Sequence, residues 1–152
     1  MGTKYNGSDA EILSLNTYIK LIRATGSLTS KINSTLVQSG LSERQFYVLD
    51  VLFHLGPLPQ KEISKKISCS DGNTTMVIDN LEKEELVIRK RGTEDRRIYF
   101  VHITKKGEKK LKSVLPNLVE NLTKSLSMLN KNEQEELQRL TKKIGLSNSA
   151  GN

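Results

Sequence analysis

The stretch from Pro59 to Thr104 constrains the fold more than any other part of this 152-residue chain. Ile63 and Ile67, four residues apart, predict one buried side of a short helix of about three turns starting near Pro59. Ser70 is an N-cap for a second helix whose inner side is marked by Val77, Ile78 and Leu81. Only Ser68-Cys69-Ser70 joins the two. Helices this short do not hold in water on their backbone bonds alone, so they must pack on each other and on a shared core. That makes a helix-turn-helix, with the outer face of the second helix free to enter a major groove. A hairpin follows: Leu86 to Arg91, the turn Gly92-Thr93-Glu94-Asp95-Arg96-Arg97, then Ile98 to Ile103. A hairpin beside such a helix pair is a wing. Arg89, Lys90, Arg91, Arg96 and Arg97 stand on it where phosphates or a minor groove would be met, more cations than a structural hairpin needs.

Charge agrees with this placement. The formal net charge is +7, and residues 83 to 112 alone hold eleven basic and five acidic side chains, nearly the whole excess. A polyanion is the partner this implies, with a merely solvated basic surface as the alternative.

Long helices are expected on both sides. After Asp9, the residues Ile12, Leu15, Ile19 and Ile22, continued by Leu28, Ile32 and Leu36, form one apolar stripe. Gly26 interrupts it, either for a close helix approach or at a cost to the helix. Gly40 is a helix stop, and Ser42 with Gln45 is a capping box opening a helix that carries Phe46, Leu49, Leu52 and Phe53. It ends at His54-Leu55-Gly56-Pro57. Beyond Thr104, another cap, Leu111, Leu115, Leu118, Leu122, Leu126 and Leu129 line a long helix in which Pro116 predicts a kink. Asn130 with Glu133 opens a last helix bearing Leu137, Leu140 and Ile144, and a loose tail is expected from Ser147. The fold class is therefore mainly α with a small β-hairpin wing, in one domain: a winged helix-turn-helix lobe over 42–104 flanked by helices over 9–39 and 107–145.

Several function classes fall away. The single Cys69 cannot form an internal disulfide, no run of ~20 apolar residues spans a membrane, and the N-terminus lacks a secretory signal, so a cytoplasmic protein without membrane association is expected. Asn6 stands where a myristoylation signal after Met-Gly wants Ser or Thr. Two histidines 48 residues apart and one thiol make no metal set, and no cofactor is expected. Gly-rich phosphate loops, nucleophile elbows and paired histidines at metal spacing are missing, and His102 on its strand has no catalytic partner, so no enzyme is expected.

Gly40-Leu41-Ser42 with Gln45, Pro59-Gln60-Lys61-Glu62, Asn80-Leu81-Glu82-Lys83, and Glu94-Asp95-Arg96-Arg97 with Thr104-Lys105-Lys106-Gly107 resemble the MarR family of regulators. The Asp-Arg-Arg wing followed by a strand and Thr-Lys-Lys-Gly is the most specific part, and the flanking helices extend the likeness to nearly the whole chain. The resemblance implies a transcriptional regulator, most often a repressor, binding a pseudo-palindromic duplex as a homodimer through its terminal helices. It places Ser70, Asn73, Thr75, Met76 and Asn80 on the outer face of the recognition helix and Lys61 near phosphate. Asn73 and Asn80 suit adenine edges or phosphate, Thr75 a phosphate, and Met76 a thymine methyl; for each, a solvated helix face is the alternative. The family commonly has basic residues where this chain has Met76 and Asn80, so its base preference is its own. In the wing, Asp95 is expected to orient one arginine while the other, Arg96 by choice, reaches DNA. Glu85 stands where the family usually has glycine.

The controlling signal is open. Cys69 beside the recognition helix is a redox candidate, against a packed small side chain in a turn. A small aromatic or anionic effector between the terminal helices and the lobe would find Tyr18, Arg23 and His54 as polar lining, against ordinary packing and surface charge. A winged-helix module that binds protein through the same basic face, without specific DNA binding, remains the competing class.

Overall fold

The computed structural model describes residues 2–93 and 95–149. The elements run α1 (Asp9–Gln38), α2 (Glu43–Leu55), β1 (Leu58–Pro59), α3 (Gln60–Lys66), α4 (Asp71–Lys83), β2 (Val87–Arg91), β3 (Tyr99–Ile103), α5 (Lys105–Leu126) and α6 (Lys131–Ser149). The helix starts follow their caps. Ser42 and Gln45 complete a reciprocal capping box, as do Ser8 and Glu11, and Thr104 accepts from the Gly107 N–H. Asn130 and Glu133 bond each other in the same reciprocal way at the head of α6.

One core serves the centre of the chain. Leu49 and Leu52 of α2, Ile63 of α3, Ile78 and Leu81 of α4, Val87 and Val101 of the hairpin, and Leu111 and Val114 of α5 are all buried in it. Leu36 anchors the C-terminal end of α1 there. Each fully buried aliphatic side chain is worth about 1.5–3 kcal/mol, which is what fixes the short α3 and α4 in place.

Three details differ from the sequence reading. The hairpin is part of a three-stranded antiparallel sheet of order β1-β3-β2, in which Leu58 pairs with Val101 and Val87 with Ile103. Two residues have no periodicity to betray a strand, and Pro59 sits at the sheet edge, where its missing N–H is harmless. Helix α3 is seven residues long, two turns where three are expected. The expected tail from Ser147 is helical through Ser149, and its last three residues lie outside the described ones.

Helix α5 runs without a break through Pro116. Around Gly26 no other part of the described residues lies within 4 Å of where a Cβ would stand, so no close approach among them explains this glycine. Among the described residues no helix is long and apolar enough to cross a membrane.

Candidate nucleic-acid interface

Helix α4 divides by face. Thr74, Val77, Ile78 and Leu81 point into the core, while Gly72, Met76, Asn80 and Lys83, spaced three and four apart, are exposed along the opposite side. Met76 is 57% exposed, a large apolar side chain held in the middle of a solvent-facing helix. Gly72 has open space where a Cβ would be. This stripe carries no charge before Lys83. Asn73 is half-buried beside it, and Ser70 is committed as the N-cap, accepting from the Asn73 N–H.

Thr75 has a different neighbourhood from the one the family resemblance implies. Its hydroxyl donates to the Asp71 carbonyl at 2.8 Å and accepts from the Gln60 amide of α3. Its bonding capacity is thus engaged inside the protein.

Arg89 differs most from the expectation of a phosphate-facing cation. Its guanidinium lies 2.6 Å from Asp79 and 2.7 Å from Glu82, and its side chain is only 23% exposed. Glu82 also accepts from the Arg89 backbone N–H at 2.8 Å. Burial alone would lower the pKa of this guanidinium, but the hydrogen bonds to Asp79 and Glu82 outweigh it and push the pKa up. The carboxylates that hold it are legible in hindsight: Asp79 and Glu82 stand three apart on one helix face, followed by an arginine at the second position after the buried Val87.

At the tip of the wing, Asp95 accepts from the Arg97 backbone N–H at 2.8 Å, an Asx turn that shapes the loop where an Asp–Arg side-chain bond was expected. Arg96 and Arg97 are exposed, and among the described residues neither enters an ion pair. Arg91 donates to the Tyr99 hydroxyl across the ladder at 2.9 Å and lies over its ring. His102 has its pKa lowered by burial and then by the neighbouring Lys90 cation. Lys61 is exposed on α3. Together with Ser64, Lys65, Ser68, Cys69 and Asp71 it lines an open depression of about 540 Å³ beside the start of α4. Cys69 is half-buried there.

Other sequence candidates are not brought together. Tyr18 and Arg23 are exposed on α1, whereas His54 is on α2, 3.4 Å from Asp50 and edge-on to Phe53. No hydrogen bond or ring contact among the described residues joins the first two to the third. Nor does any group of three His, Cys, Asp or Glu among them stand ready for a metal.

A helix pair, a hairpin wing and an exposed stripe on the second helix define a winged helix-turn-helix. The MarR family model matches residues 41–99, the lobe just described. The HTH-type transcriptional regulator MhqR of Bacillus subtilis is 36% identical over 133 residues, covering 88% of this chain and 92% of its own. The chain belongs to the MarR family of transcriptional regulators. Its fold matches AbsC, a MarR family regulator from Streptomyces coelicolor, with a TM-score of 0.83 at 20% identity, over 97% of this chain and 99% of that one. It also matches MepR of S. aureus, solved as a DNA complex, with a TM-score of 0.76 at 22% identity over 86% and 97% of the two chains.

Proposed function

We propose that this regulator binds a pseudo-palindromic operator in double-stranded DNA as a homodimer and represses transcription from it. The carrying observation is the pairing of an outward stripe on α4, uncharged through Asn80, with two exposed arginines at the wing tip. The stripe suits base edges and the arginines suit phosphate or a minor groove. MepR, seen on DNA with this fold, is consistent with that use. Met76 meets a thymine methyl, Asn73 and Asn80 meet adenine edges or phosphate, and Lys61, Arg96 and Arg97 supply the counterion-releasing contacts. Ser70 and Thr75 set the helix start, and Asp95 the wing turn.

The dimer is supported by helices that this chain leaves uncovered. From Lys131 to Gly145 only Gln134 of α6 is half-buried, and Leu137, Leu140 and Ile144 form one exposed stripe. Along α1, only Thr35 and Leu36 are buried, while Ile12, Leu15, Ile19 and Leu28 stay half-exposed. A helix that buries so little over Lys131 to Gly145 is marginal in water, so a second copy covering α1 and α6 is what holds it. Two-fold symmetry then spaces the recognition helices by one turn of B-DNA, ~34 Å. A small aromatic or anionic effector acting from the junction of these helices with the lobe is part of the same reading.

Selection of bound duplexes from a random pool, then titration of the winner at several salt concentrations, tests it. Enrichment of a pseudo-palindrome, bound two chains per duplex with a steep salt slope, is expected, and Arg96→Ala lowers that slope by about one. No enrichment, with feeble salt-insensitive binding, transfers the basic face to a protein partner.

A further inference from the structure

Within a hairpin whose arginines otherwise face solvent, Arg89 is drawn inward and shared by three elements. Strand β2 pairs with β3 alone, so one of its edges is open. On that edge the Arg89 N–H is capped by one oxygen of Glu82, while the other oxygen holds the guanidinium. Asp79, one turn earlier on α4, takes the second arm. The same guanidinium donates to Oε1 of the Gln60 side chain at 3.5 Å, and Nε2 of that side chain donates to the Thr75 hydroxyl. A continuous polar chain therefore runs from α3 through α4 to the base of the wing.

We propose that Arg89 is a positioning residue for sequence reading: clamped by Asp79, Glu82 and Gln60, it fixes the wing against the recognition helix and makes no contact with DNA. This rests on the DNA-binding reading above and adds a division of labour within it. General attraction to phosphate needs only free cations near the duplex. Discrimination between sequences needs the α4 stripe and the wing tip to engage the groove and the flanking backbone at the same time, hence a fixed relation between them. The clamp flanks the reading stripe, on the Thr75, Asp79 and Glu82 side of α4 between that stripe and the core face, where it can set that relation from the edge of the groove. The clamp holds one cation against two carboxylates, so it supplies no net attraction to phosphate; that attraction comes from the exposed cations elsewhere on the lobe.

The test compares the operator recovered by selection with a scrambled duplex of the same composition, in binding titrations across salt, for full-length protein. Arg89→Gln is expected to weaken operator binding tenfold or more, to weaken scrambled binding far less, and to leave the salt slope unchanged. Asp79→Asn with Glu82→Gln is expected to do the same although it makes the protein more positive, and combining all three changes is expected to add little. Arg89→Lys, which reaches one carboxylate but cannot bridge both, recovers part of the loss. Asp79→Asn alone removes a single arm, keeps both Glu82 bonds and so remains folded by thermal denaturation, with a smaller loss of the same kind. If neutralising the carboxylates tightens operator binding, or if Arg89→Gln lowers the salt slope by about one and weakens both duplexes equally, Arg89 is a phosphate contact and the proposal is overturned. Failure of the unaltered protein to distinguish the two duplexes instead sinks the regulator reading itself, before any variant is compared.

Discussion

Gly107→Ala is the substitution whose cost the structure specifies best. Gly107 is the third residue of α5, and a Cβ there would stand 2.2 Å from the Leu86 carbonyl oxygen, 3.1 Å from its carbon and 2.9 Å from Cγ1 of Ile103. The obstacle is backbone, and it is held: Leu86 O accepts from the Thr104 N–H at 3.0 Å and from the Thr104 hydroxyl at 3.2 Å. Relieving the clash means moving α5 away from the α4–β2 connection and loosening the cap that starts α5. Overpacking of this kind costs about 1–3 kcal/mol, and the upper end applies where a bonded carbonyl must move. Alanine returns up to ~1 kcal/mol through helix propensity, leaving a net loss of about 2 kcal/mol. For a chain of this size that lowers Tm by about 4–8 °C. Gly26→Ala is the internal control, because among the described residues nothing beyond its own helix lies within 4 Å of where its Cβ would stand, and it should raise Tm by a few degrees. Differential scanning calorimetry at matched concentration measures both. A Gly107→Ala protein that melts within a degree of the parent would refute the reasoning, since it would mean that the helix and the connection do not approach as described.

Three further outcomes follow from local geometry. Glu85 has φ of +59° and ion-pairs Lys106 only at the surface, so Glu85→Gly relieves a left-handed non-glycine residue and should raise Tm by about 2 °C; a fall in the melting curve would count against it. Gly72→Ala keeps or slightly raises Tm but adds a methyl to the outward face of α4, and operator titrations should show weakened binding, whereas unchanged affinity would remove the first turn of α4 from the interface. His102 has a lowered folded pKa, so its proton binds the unfolded chain more readily. The stability this contributes is full at neutral pH and is lost as pH falls through the unfolded value near 6.5 toward the folded one. His102→Gln should flatten that part of the Tm-against-pH curve, and an identical slope in the variant would sink the assignment.

Elements with a period or a cap were legible in the sequence, and elements made by tertiary pairing were not. Ser42, Ser70, Thr104 and Asn130 announce their helices because capping is a local exchange of hydrogen bonds. The two-residue β1 exists only because β3 lies beside it, and no local signal encodes that. The family resemblance puts Met76 and Asn80 on the outer face of α4, and their exposure agrees, since an outward face is what remains once the apolar side is assigned. Arg89 was misplaced for the opposite reason. Composition counts it among the wing cations, whereas its environment depends on two carboxylates seven and ten positions earlier that only the turn from α4 into β2 brings near. Asp95 likewise reads as an ion-pair partner until the loop geometry shows it bonded to backbone.

The distribution of charge over the lobe follows one logic. Helix α4 with its C-terminal cap carries Asp71, Asp79, Glu82 and Glu84 against Lys83, so the element that would lie deepest in the groove is net acidic. An acidic helix does not approach DNA unaided; the wing tip, Lys61 and the lysines opening α5 must supply the attraction. Arg89 offsets one of the two charges of Asp79 and Glu82 and ties both carboxylates to the hairpin, a use open to it because Arg96 and Arg97 are the exposed cations at the tip. Exchange these roles, with Arg89 facing phosphate, and two carboxylates at the edge of the groove would repel the backbone they now sit beside. The clamp and the basic wing are therefore conditions for each other. On the proposed reading, the small, uncharged stripe of Gly72, Met76 and Asn80 is left to sense the shape and methyl pattern of the bases, and the phosphates fall to the cations around it.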